Sequence, residues 1–132
     1  MSTGQDVAQP KVLFIEDDPI VQFVHKHMLI DDCEVDIAPD AASALQMISK
    51  AYDLIFVDLG LPDLDGIELI QSMVAQKKLK EHTRMIILTA SQQEEKSLRI
   101  CFDAGVEAVL CKPVSMEQLR RLVFEKQAHT IN

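Results

Sequence analysis

The sequence predicts an α/β domain, a single doubly wound, five-stranded parallel sheet with helices on both faces. Three observations lead there. Short apolar runs recur at 12–15, 54–57, 85–88 and 106–110, with a weaker one at 35–38. They are continuous rather than alternating, which is how strands covered on both faces read. The segments between them carry helical spacing and are long enough for the right-handed crossovers that join parallel strands. A length of 132 residues, 48% hydrophobic and 26% charged, suits one ordered domain.

Residues 1–10 are polar and aperiodic and are expected to form a flexible lead-in, with the domain over 11–127 and a tail over 128–132. After the first strand, Asp18 and Pro19 make an N-cap and N1 pair. Ile20, Val21, Val24 and Met28 then recur at helical intervals, giving a first helix to about Ile30. Following the second strand, Asp40 can cap a helix running through Leu45 and Ile48. The third strand leads into Pro62-Asp63-Leu64-Asp65-Gly66, where Asp63 and Asp65 read as turn formers. Ile67, Ile70, Met73 and Val74 mark the third helix, and Lys77, Lys78 and Lys80 a solvated loop. Ser91-Gln92-Gln93-Glu94 and Ser115-Met116-Glu117-Gln118 both have the capping-box form and should open the fourth and fifth helices, Gly105 ending the fourth.

Twenty-one acidic residues against thirteen Lys plus Arg leave a net charge of −8, a field that repels nucleic acid and anionic membrane. Direct DNA binding and membrane attachment are therefore not expected. Cys33, Cys101 and Cys111 are odd in number and lack Cys-x-x-Cys spacing, so they read as reduced, semi-buried thiols. No apolar run approaches the roughly 20 residues that span a bilayer, and the first residues lack the features of a signal peptide, so the expected setting is cytoplasmic. His25 and His27 are too close for the i, i+4 metal spacing and read as surface or semi-buried residues.

In open parallel sheets, ligands bind beyond the carboxyl ends of the strands. There stand Glu16, Asp17 and Asp18 after the first strand, Asp58 after the third, Thr89 after the fourth, and Lys112 and Pro113 after the fifth. Carboxylates held together repel one another unless a counter-charge is supplied. A hard divalent cation does this, and few protein ligands with room for water suit Mg2+. A carboxylate beside Mg2+, an ammonium and a threonine hydroxyl can stabilise a transferring phosphoryl group. Asp58 is the best nucleophile, because the buried run before it holds its backbone and Gly60 leaves its vicinity open.

These motifs together, 14–19, 57–66, 87–90 and 111–113, resemble the receiver domain of two-component response regulators over about residues 11–127. The resemblance implies a flavodoxin-like (βα)5 fold with strand order 2-1-3-4-5. It implies that Asp58 accepts a phosphoryl group from a phosphohistidine on a histidine kinase or histidine phosphotransfer protein. Asp17 would ligate Mg2+ directly, Glu16 through water, and the Gly60 carbonyl would complete the protein ligands. Thr89 would bond a phosphoryl oxygen and shift on activation, and Lys112 would pair with the phosphate. Pro113 would follow a cis peptide bond. Such a module is not an enzyme beyond catalysing its own phosphorylation and dephosphorylation. It would signal by contact with a downstream protein partner, with a homodimer possible. The face of the fourth helix, fifth strand and fifth helix, with Arg99, Arg120 and Arg121, would be its output surface, and the first helix the dock for the donor. One departure stands at Val109, where the family commonly has Tyr or Phe.

Other chemistries on such a sheet fit less well. A phosphatase with an aspartyl-phosphate intermediate wants an acid two residues after its nucleophile, where this chain has Gly60. A flavin site wants a Gly- and Ser/Thr-rich phosphate loop after the first strand, where this chain has acids.

Overall fold

The computed structural model describes residues 9–76, 79–90 and 92–125. Strands β1 (Lys11–Ile15), β2 (Glu34–Ala38), β3 (Leu54–Asp58), β4 (Arg84–Thr89) and β5 (Val106–Cys111) alternate with helices α1 (Pro19–Leu29), α2 (Ala41–Met47), α3 (Gly66–Ala75), α4 (Glu95–Asp103) and α5 (Met116–Phe124). All pairings are parallel, in the order β2-β1-β3-β4-β5. The chain therefore winds one way from β1 to β2 and the other way from β3 onward. The reversal lies between β1 and β3, the crevice where such sheets hold ligands.

The inner strands are buried almost throughout, while the edge strands β2 and β5 are only half covered. Alternate residues of the inner strands feed two separate cores. Leu13, Ile15, Ile55, Val57, Met85 and Ile87 meet Ala41, Ala44, Leu69, Ile70, Met73 and Cys101 from α2, α3 and α4. Val12, Phe14, Leu54, Phe56, Ile86 and Leu88 meet Leu29, Leu119 and Val123 from α1 and α5. Continuous apolar runs in the sequence are thus the sum of two period-2 patterns.

The helix starts are set by side chains. Asp18 accepts hydrogen bonds from the Ile20 and Val21 amides at 2.9 and 3.4 Å, with Pro19 in the first turn. Ser115 and Gln118 complete the expected capping box of α5, each accepting from the other's backbone at 3.0 Å. Asp40 accepts from the Ser43 amide at 2.7 Å. Asp63 does more than form a turn, since its carboxylate accepts from the Ala41 and Ala42 amides at 2.9 and 3.1 Å and caps α2 from another loop. Gly105 ends α4 with φ +107°, a conformation that favours glycine.

Several expectations are corrected. Helix α4 starts at Glu95 with Glu94 as its N-cap and no side-chain cap bond, so the capping box expected from Ser91 does not open it. The Gln93 side chain turns back instead to donate to Thr89 Oγ1 at 3.2 Å; Ser91 itself lies outside the described residues, as do Lys77, Lys78, the tail over 128–132 and the lead-in before Gln9. Pro10 already belongs to the sheet, its carbonyl accepting from the Glu34 amide at 2.9 Å. Cys33 and Cys101 are fully buried rather than semi-buried, and Cys111, at the end of an edge strand, is exposed; none is paired. His25 is buried against Phe14, with ring centroids 5.1 Å apart, because it occupies the inward face of α1, whereas His27 is exposed. No described helix is long and apolar enough to cross a membrane.

Candidate phosphoryl and cation site

The site residues sit one or two steps beyond, or at the last position of, their strands. The Glu16 amide donates to the Ala38 carbonyl at 3.0 Å and the Lys112 amide to the Thr89 carbonyl at 2.8 Å, so the ladder holds both backbones. Asp58 is opposite Leu88, and Thr89 is opposite Cys111. The loop after Asp58 folds tightly back on it: a Cβ on Gly66 would lie 2.6 Å from Leu59 Cα and 2.9 Å from the Asp58 carbonyl oxygen, so only glycine fits there. By contrast, a Cβ on Gly60 would make an ordinary 3.8 Å contact with Asp58 Oδ1. The Lys112–Pro113 bond is cis.

Side chains from β1, β3 and β5 then converge. One carboxylate oxygen from each of Glu16, Asp17 and Asp58 lies within 4.8 Å of the others. Lys112 Nζ is 2.6 Å from Glu16 Oε1 and 3.2 Å from Asp58 Oδ2. The remaining oxygens are also engaged, Glu16 Oε2 by the Asp18 amide at 3.1 Å and Asp58 Oδ1 by the Gly60 amide at 3.0 Å. Glu16, Asp58 and Thr89 are buried, while Asp17 is exposed and leaves the cluster open to solvent.

Burial pushes the Glu16 carboxyl above its usual range, and the nearby Asp58 charge adds to this, while Lys112 and the Asp18 amide oppose it. Burial works against the Lys112 ammonium, but its bonds to Glu16 and Asp58 outweigh that and raise it. Three carboxylates against one ammonium leave uncompensated negative charge. The donor set is all oxygen, which suits a hard cation such as Mg2+ or Ca2+ and not a soft metal.

All the site residues singled out in the sequence are thus at one end of the sheet, with Gly60 in the loop beside Asp58. Val109 is half buried against the core and opposite Ile87. Arg99 and Arg121 are exposed and paired with Glu95 and Glu117 on their own helices. Arg120 departs from the expected output face, because Asp32 draws it toward the end of α1 at 2.7 Å. Sequence reasoning missed Gln22, whose Nε2 donates to the Glu16 carbonyl at 2.6 Å, and Gln93 on Thr89. No spacing rule marks a glutamine for either task.

The family model of the response regulator receiver domain matches residues 12–124. The chain is 32% identical over 120 residues to hybrid signal transduction histidine kinase L of Dictyostelium discoideum, covering 86% of this chain and 7% of that protein. It is 33% identical over 116 residues to sensor histidine kinase TmoS of Ectopseudomonas mendocina, covering 87% of this chain and 12% of that protein. The chain thus spans a small part of these relatives. Among solved structures, a CheY-like response regulator receiver domain protein from Methanospirillum hungatei superposes with a TM-score of 0.80 at 25% identity, covering 89% of this chain and 93% of that one.

Proposed function

Because the chain belongs to the response regulator receiver domain family, the modules of two-component phosphorelay signalling, we propose that Asp58 is its phosphoacceptor, within a receiver domain over 11–127. The observation that carries this is the convergence of Glu16, Asp17 and Lys112 on Asp58. In the transfer, an Asp58 carboxylate oxygen attacks phosphorus, the P–N bond of the donor's phosphohistidine breaks, and its electron pair leaves with the imidazole. Lys112, already 3.2 Å from Asp58 Oδ2, pairs with the oxygens of the arriving group. Thr89 bonds another phosphoryl oxygen. Asp17 and Asp58 would ligate Mg2+ directly, Glu16 through water, and the Gly60 carbonyl would add a ligand. Bound Mg2+ would supply positive charge to the phosphoryl oxygens. Gly60, two residues after Asp58, offers no acid to hydrolyse the product, so the phosphatase reading is not favoured.

The donor is a histidine kinase or a histidine phosphotransfer protein. Exposed Ile20, Phe23 and Val24 on α1, beside a cavity of about 390 Å3 that reaches Lys112 and Pro113, support docking there. The output is contact with a downstream protein, and unpaired Cys33, Cys101 and Cys111 are in keeping with a reducing, cytoplasmic setting. Intact mass after incubation with acetyl phosphate and Mg2+ should show the gain of one phosphoryl group, abolished by Asp58→Asn. An unmodified wild-type mass would reject this reading.

A further inference from the structure

Helix α4 is exposed along most of its length. Its fully buried side chain is Cys101, near its C-terminal end, whereas α3 buries Gly66, Leu69, Ile70 and Met73. Its N-cap, Glu94, makes no side-chain cap bond of its own. Just before that cap, Gln93 reaches back to the end of β4 and donates to Thr89 Oγ1 at 3.2 Å. A segment with few buried side chains is one whose order responds readily to a single added or lost bond.

We propose that Gln93 is a positioning residue that transmits the location of the Thr89 hydroxyl to the first turn of α4. The proposal rests on the phosphoacceptor reading of Asp58. A threonine hydroxyl has one donor hydrogen and two acceptor positions, and the Gln93 amide uses an acceptor position. A phosphoryl oxygen is an acceptor and takes the donor hydrogen. The two bonds therefore use different parts of the same hydroxyl. When Thr89 turns toward a phosphoryl group on Asp58, its oxygen moves and Gln93 either follows or lets go. In both cases the residue preceding the α4 N-cap changes its anchorage. Val109, three residues before Lys112, has no polar atom and packs against the core, so it cannot carry this signal by hydrogen bonding.

The test is hydrogen exchange of the 92–100 segment with and without phosphorylation by acetyl phosphate and Mg2+, normalised to phosphoryl occupancy from intact mass. Wild-type protein should change its exchange there on phosphorylation. Gln93→Met, which keeps the shape and removes the donor, should reach the same occupancy with that change reduced at least about threefold. In a Thr89→Val background, Gln93→Met should reduce that change no further, because the bond between the two side chains is already lost. A wild-type-sized response in Gln93→Met, or an equal reduction with Thr89 absent, would overturn the proposal while leaving Asp58 as phosphoacceptor. A wild-type protein that gains no phosphoryl group would overturn the underlying reading and this one with it.

Discussion

His25 gains an aromatic neighbour in Phe14 and loses its solvent, and its Nδ1 is buried with no hydrogen-bond partner among the described residues. Burial, then the Lys112 charge, lower its pKa below the ordinary 6.5, with Asp58 opposing. The unfolded chain therefore binds a proton that the folded one refuses. Stability from this residue is complete above pH 6.5 and is lost as pH falls from there to the lowered value. Glu16 runs the other way, because its raised folded value makes the folded state bind more protons above 4.5. A substitution at His25 alone separates the two. Between about pH 7.5 and about pH 5.5, the drop in thermal midpoint should be smaller in His25→Phe than in wild type. An unchanged drop in a melting series would rule out this assignment. Position 25 was legible as part of a helix but not as buried, because burial depends on which face of α1 meets Phe14.

Helix α2 shows how an element depends on chain far from itself. It has seven residues, too few to be stable alone, and its first amides are held by Asp40 from its own start and by Asp63 from the loop after β3. Asp40→Ala should lower unfolding stability by about 1 kcal/mol, read by urea titration. Asp63→Ala should act in the same direction, and the pair should be non-additive because both caps serve one helix end; simple additivity would show that the caps act independently. The Asp40 cap was legible from its position before an apolar spacing. Asp63 was legible only as a turn former, since nothing local says that its carboxylate faces a helix 22 residues earlier. The start of α4 was also misread: Ser91 to Glu94 has the pattern of a box, but the helix begins only after Glu94, with Gln93 turned back to Thr89.

Across the whole molecule, part of the acidic excess is gathered at one end of the sheet, where Glu16, Asp17 and Asp58 stand together. A cation that binds there only in the folded state should stabilise by mass action, raising the thermal midpoint with the logarithm of Mg2+ concentration. Exposed Asp17 can be changed without disturbing the core, so Asp17→Asn should flatten that titration. Identical titrations in the two proteins would show that the cluster does not hold the ion. The sequence by itself determined the alternation of strands and helices, the parallel sheet and the residues at the strand ends, because buried strands, caps and turns are written in local spacing. The strand order came through family resemblance, and the structure bears it out in β2-β1-β3-β4-β5. Only the tertiary structure decided that Lys112 divides its charge between Glu16 and Asp58, that Arg120 turns to Asp32, and that Gln93, ahead of α4, turns back to Thr89. Those choices depend on distances between residues remote in the chain or on different elements, and a hydrogen bond or ion pair forms only where folding has brought its two ends within reach.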